Sequence, residues 1–145
     1  MAVKPIPDGY HSVTPYLTVE GASGLIEFLK NAFGAEVTHR MARPDGTIGH
    51  AEVRIGDSAV MLGDAQGPFN PVASTLYLYV EDTDAVYKRA MDAGGTSVMA
   101  PVDQFYGDRN AAVKDPCGNH WCIATHIEDV TSEELQRRAK AKGMG

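Results

Sequence analysis

Apolar and polar positions in this chain follow two rhythms that alternate along its length. The run Thr14-Pro15-Tyr16-Leu17-Thr18-Val19-Glu20 alternates as a half-buried strand does. After it, Leu25, Phe28, Leu29, Ala32 and Phe33 recur at helical spacing, and Gly34 stands where that helix should stop. Three more strands are predicted at about 36–42, 48–55 and 59–63, parted by the turns Pro44-Asp45-Gly46-Thr47 and Gly56-Asp57-Ser58. A step of 61 residues then carries Thr14, Tyr16, Leu17, Val19 and Glu20 onto Thr75, Tyr77, Leu78, Val80 and Glu81. The same step carries Ala32, Gly34 and Val37 onto Ala93, Gly95 and Val98. The second copy predicts a strand at 75–80, then a helix opened by Asp82 as N-cap and carrying Val86, Ala90 and Ala93 before Gly94-Gly95. Strands follow near 96–100, 109–114 and 119–124, the last entered through Asp115-Pro116-Cys117-Gly118-Asn119.

One register kept across strand and helix implies a duplicated βαβββ unit. Module one is expected over 12–64 and module two over 74–126, inside a single domain spanning 1–130, with Gln66 to Pro71 as the link. Thr131-Ser132-Glu133-Glu134 has the form of a capping box, which opens a polar C-terminal helix or tail over 131–145.

Composition narrows the function classes. With 13 basic and 19 acidic residues among 145 the net charge is −6, which disfavours phosphate-backbone binding, so no nucleic-acid partner is expected. Cys117 and Cys122 are the two cysteines, with neither the number nor the spacing of a disulfide framework or zinc knuckle. Met1 to Asp8 lacks the apolar core of a secretory signal, and no apolar stretch is long enough to span a bilayer. A soluble cytoplasmic protein, without membrane partners, is the expectation.

Two βαβββ units with Asp115-Pro116-Cys117-Gly118-Asn119-His120-Trp121 near the end resemble the vicinal-oxygen-chelate superfamily, which includes glyoxalase I and the fosfomycin- and bleomycin-resistance proteins. The extradiol dioxygenases belong to it too. Gly49 through Ser58, and Asp115 through Val130, resemble its PhnB-like branch. The resemblance implies an α+β fold in which the tandem modules form a cupped, eight-stranded mixed sheet, with helices outside and a ligand cleft inside. It also implies a homodimer, with the cleft within one chain or shared through swapping. In metal-dependent members the ligands lie on the first and last strands of each module. Those positions are placed at Thr14, Thr75, Leu62 and Cys122, a donor set too poor for a divalent metal, so no cofactor is expected.

Alternation directs Tyr16 and Thr18, Tyr77 and Tyr79, His50, Glu52 and Arg54, and His120, Cys122 and Ala124 toward the cup. Together with Thr14, Thr75 and Leu62 they form an aromatic, hydroxyl-rich lining suited to a small organic guest. His50 and Glu52, two apart on one strand face, read as a general base with its orienting partner or as a cross-strand ion pair. Arg109 reads as a clamp for an anionic guest or as an Arg–Asp latch that holds the Tyr106-Gly107-Asp108 loop closed. His120 and Cys122 can hold a soft metal only with further ligands. Three functions follow: metal-independent binding of a small molecule; a lyase, isomerase or thiol transferase with an atypical metal site; or a dimeric scaffold with a vestigial cleft.

Overall fold

The computed structural model describes residues 2–144. Its order is β1 (Tyr16–Val19), α1 (Ala22–Phe33), β2 (Glu36–Ala42), β3 (Ile48–Ile55), β4 (Ser58–Asp64), β5 (Thr75–Tyr79), α2 (Thr83–Asp92), β6 (Thr96–Asp103), β7 (Asp108–Lys114), β8 (His120–His126) and α3 (Ser132–Ala141). The duplicated βαβββ unit is therefore present in full. The eight strands form two four-stranded sheets, β1-β4-β3-β2 and β5-β8-β7-β6, rather than one continuous sheet. Each is mixed, because its first strand pairs in parallel with its last and the remaining pairs are antiparallel.

Caps and turns act where the sequence places them. Gly34 takes φ 68° and its N–H returns to Lys30 O. The Asp82 carboxylate accepts from Ala85 N, and Thr131 Oγ1 accepts from Glu134 N. One cap comes from far along the chain. Asp64, the last residue of β4, accepts from Gly21 N and Ala22 N with one oxygen and from Ile48 N with the other. A single carboxylate thus ties the start of α1 to β3 and β4, and it complements the positive end of the helix. Burial alone would raise this carboxyl, but the three N–H donors outweigh it and hold it below its ordinary value.

One core serves both modules. Leu17, Val19, Leu25, Leu29, Val53 and Leu62 from the first join Val86, Val113, Trp121 and Ile123 from the second. The modules meet through α1 and α2, through the Phe33 and Trp121 rings at 5.0 Å, and through Cys117 Sγ, which donates to Glu20 O at 3.3 Å. The helix α3 is anchored: Arg138 donates to Phe105 O and grips Glu128 with both terminal nitrogens at 2.8 and 2.9 Å. No described helix is long and apolar enough to cross a membrane.

Candidate functional site

Each sheet turns one face to the helices and leaves the other open. In module one, Leu17, Val19, Ala51, Val53 and Ile55 are buried against α1, while Tyr16, His50, Glu52 and Met61 rise on the open face. In module two the open face carries Tyr77, Tyr79, Asp108, Asn110 and Cys122.

Two expected site residues lie elsewhere. Leu62 is wholly buried and pairs with Leu17 and Ala51 of the helix-side core. Its neighbour Met61 takes the open-face position, opposite Tyr16 and Glu52, because a shift of one residue along a strand exchanges the faces. Arg109 also points to the helix side, with the core residues Ala111 and Val113 of its strand. There it grips both oxygens of Asp84, in the first turn of α2, at 2.8 and 2.9 Å and reaches Asp103 at 3.0 Å. It is a latch, made to Asp84 and Asp103, which take three of its five N–H donors and offset its charge.

The other expected residues fall into two groups. Thr14, Glu52 and Met61 line one groove together with Pro5, Pro7 and Tyr10 of the N-terminal arm. Tyr16 Oη lies 3.2 Å from His50 Nδ1, and His50 Nε2 lies 3.5 Å from Glu52. Tyr10 Oη donates to Glu52, and that bond, with His50 alongside, depresses the Glu52 carboxyl. Arg54 fastens the arm by donating to Gly9 O at 2.9 Å. In the second group, Thr75, Tyr77, His120 and Cys122 share the β5–β8 ladder, with Thr75 opposite His120 and Tyr77 opposite Cys122. Among the described residues, no hydrogen bond of an open-face side chain joins one module to the other.

The densest polar cluster was not singled out from the sequence. Asp108, 4 % exposed, accepts from Tyr77 Oη at 2.6 Å and Tyr79 Oη at 2.9 Å, and His126 Nδ1 lies 3.1 Å away. Asn110 donates to the hydroxyls of Tyr77 and Tyr106, and Gln104 donates to Asn110. The strand period held the clue, since Asp108 and Asn110 share a parity opposite to that of Arg109. Burial would raise the Asp108 carboxyl, but hydrogen bonds from Tyr77, His126 and Tyr79 outweigh it and lower it. Burial first, then the bond to Asp108, pushes the Tyr77 phenol well above its ordinary range. Asp129 and then Asp108 raise the His126 imidazole.

A pH dependence follows. The raised His126 stabilises the fold below its ordinary 6.5, and that contribution is lost as pH climbs through the higher folded value. The depressed Asp108 stabilises above its ordinary 3.8 and is lost as pH falls through the lower folded value. Both contributions are complete between about pH 4 and 6.5. Thermal midpoints across pH are expected to fall on the alkaline side of that window, and His126→Gln is expected to flatten that arm. An unchanged alkaline arm in the variant would show that His126 is not the group responsible.

The thiols are quiet. Burial, with Asp115 and Asp64 nearby, pushes Cys117 up to about 11, and burial alone raises Cys122. Against its ordinary 9.0, Cys117 holds about 100-fold less thiolate at neutral pH. Iodoacetamide is expected to label the folded chain about 100-fold more slowly than the unfolded chain at this position; equal rates would mean the thiol is free.

In the observed register, the metal positions that the resemblance implies carry weak donors. The two closing-strand positions are Met61 and Cys122, opposite Tyr16 and Tyr77. With Thr14 and Thr75 they provide a thioether, a thiol and two neutral hydroxyls, which do not fit a divalent ion that needs carboxylates or imidazoles. Among the described residues, no three His, Cys, Asp or Glu side chains converge to hold a metal.

A duplicated βαβββ chain with an open, tyrosine-bearing face on each sheet defines an α+β tandem-module protein. The chain belongs to the glyoxalase/bleomycin resistance protein/dioxygenase superfamily, whose family model matches residues 10–123. Uncharacterized proteins of Mycobacterium bovis and Mycobacterium tuberculosis are each 34% identical to it over 145 residues, covering 92% of this chain and 95% and 85% of theirs. Among solved structures it is similar to TioX from Micromonospora sp. ML1, with a TM-score of 0.66 and 22% identity over 80% of this chain and 100% of that one. A glyoxalase/bleomycin resistance protein/dioxygenase from Nocardioides gives 0.64 and 18% over 91% and 90%. A PhnB protein from Bacillus cereus gives 0.64 and 18% over 79% and 99%.

Proposed function

We propose that the chain binds a small organic molecule on its open sheet faces and does so without the divalent metal centre of its metal-dependent relatives. The observation that carries this reading is the state of the tyrosines. Tyr16, Tyr77 and Tyr79 are 47, 45 and 59% exposed, yet each hydroxyl is held by a hydrogen bond to the sheet floor. Aromatic surface fixed in one rotamer and left open to solvent is a preorganised platform, which loses little entropy when a guest settles on it. Among the described residues no hydrogen bond joins the two faces within one chain; a second copy brought against them would close the cup, and the reading includes a homodimer. Both thiols are unpaired, in keeping with a cytoplasmic place of action.

The test starts from protein dialysed against chelator, with metal content measured alongside sedimentation equilibrium and native mass spectrometry. Stoichiometric binding of a small molecule by metal-free dimers, without turnover, supports the reading. A lyase, isomerase or transferase activity that requires one tightly held metal per site would overturn it. One observation favours a second, catalytic reading, namely His50 set between Tyr16 and Glu52 as a general base would be. A pH–rate profile abolished in His50→Gln would support that reading.

A further inference from the structure

A groove of about 730 Å³ runs along the outer edge of β5, between that strand and the β3–β4 turn of module one. Its aromatic lining is Phe33, Tyr77 and Tyr79, and its ionisable lining is Asp57, Glu81, Asp82 and Arg89. We infer that this groove takes an aromatic organic cation. The inference deepens the preceding reading, on which it rests, by naming the ligand class and the edge of the second sheet, beside Tyr77 and Tyr79, that receives it.

Charge decides the class. Three carboxylates stand against one guanidinium, and the N-terminus of α2 adds only roughly half a positive charge. That end of the helix already has the Asp82 cap, and the guanidinium of Arg109 nearby is consumed by Asp84 and Asp103. The lining is therefore net negative.

The rings point the same way. The hydroxyls of Tyr77 and Tyr79 both donate to one oxygen of the buried Asp108, which leaves the phenols electron-rich. The two rings lie 5.3 Å apart at 57°, so a planar guest can meet the face of one and the edge of the other. A cation near an electron-rich ring gains from the ring quadrupole, and an anion loses by the same field. A carboxylate or phosphonate guest would meet repulsion on every side except at Arg89. A neutral aromatic would gain from stacking alone.

Three isosteric probes separate these cases: N-methylacridinium, acridine and acridine-9-carboxylate, titrated at pH 8 into the intact chain and followed by probe fluorescence. The cation is expected to bind saturably and about tenfold more tightly than acridine, with the carboxylate weakest. Tyr79→Leu is expected to weaken the cation about tenfold, and Glu81→Gln together with Asp57→Asn is expected to erase its advantage over acridine. Tyr79 is 59% exposed, so its loss leaves the core intact, and unfolding midpoints check that. Equal binding of all three probes, still dependent on Tyr79, would leave a guest-binding face and overturn the cationic class. If no probe binds and Tyr79→Leu instead shifts the sedimentation of the protein, the groove is covered by a second copy and the inference fails outright.

Discussion

Asp115→Ala is expected to cost about 3–5 kcal/mol and to lower the unfolding midpoint by about 10–15 °C. Asp115 is 4 % exposed and accepts four hydrogen bonds. One oxygen takes Cys117 N and Asn119 N at 2.8 and 3.0 Å, and the other takes Asn119 Nδ2 and Trp121 Nε1 at 3.0 and 2.8 Å. Alanine would leave the indole and amide donors buried without partners, and an orphaned buried donor costs more than its bond contributed. The damage spreads because Asn119 Oδ1 accepts from Ser74 N at the start of β5, and Trp121 packs on Phe33 across the module boundary. Trp121 is the only tryptophan, so its emission reports this site directly. Asp115→Asn keeps an acceptor for the turn but aims an NH₂ at the indole or at Asn119, and it should recover only part of the loss. A destabilisation under about 1 kcal/mol in the alanine variant would mean that the turn holds without its carboxylate.

The fold was legible because both of its rhythms come from covalent geometry. Strand alternation and helical stripes need no knowledge of partners, and the 61-residue step tied them into two copies. The same step could have placed the closing-strand position correctly, since it carries Met61 onto Cys122. Leu62 stands one residue further on, and a slip of one position along a strand exchanges its faces. Of the two readings open for Arg109, clamp or latch, parity favours the latch, since it sets Arg109 on the side of the core residues Ala111 and Val113. What the sequence could not display is contact over long separations. Asp108 gathers Tyr77, Tyr79 and His126 from two other strands, and Tyr10 reaches Glu52 from an arm with no periodicity to read.

The duplication also shows what has been kept and what has diverged. Tyr16 and Tyr77 occupy equivalent places on β1 and β5, opposite Met61 and Cys122. Each meets a polar residue one strand further in, His50 in the first module and Asn110 in the second. Only the second module adds a buried carboxylate beneath its tyrosine. A guest lying between two such faces would therefore find an imidazole on one side and an acidic, aromatic wall on the other.

Gly107 holds that second wall in place, and Gly107→Ala is expected to cost about 2–4 kcal/mol while pulling Tyr106 and Asp108 out of position. Gly107 has φ +101°, and a Cβ there would sit 2.2 Å from Glu128 O and 3.2 Å from Val130 Cγ2. Its own carbonyl accepts from Ile127 N and Glu128 N, and Arg138 locks the same Glu128 from α3, so the crowded oxygen has nowhere to retreat. Gly118 separates the two causes of loss. Its φ is +91° with nothing within 4 Å of a new Cβ, so Gly118→Ala carries the conformational cost alone, about 1–2 kcal/mol. The excess at Gly107 measures the clash, and the clash acts on function through its neighbours. When the 104–107 loop lifts, Asn110 loses Tyr106, and Asp108 loses the anchored turn that aims it at Tyr77 and Tyr79. Hydrogen exchange should quicken at Ile127 and Glu128 in Gly107→Ala but not in Gly118→Ala. Equal costs for the two variants, with Ile127 and Glu128 still protected, would mean that the loop stands clear of the 127–130 segment in solution.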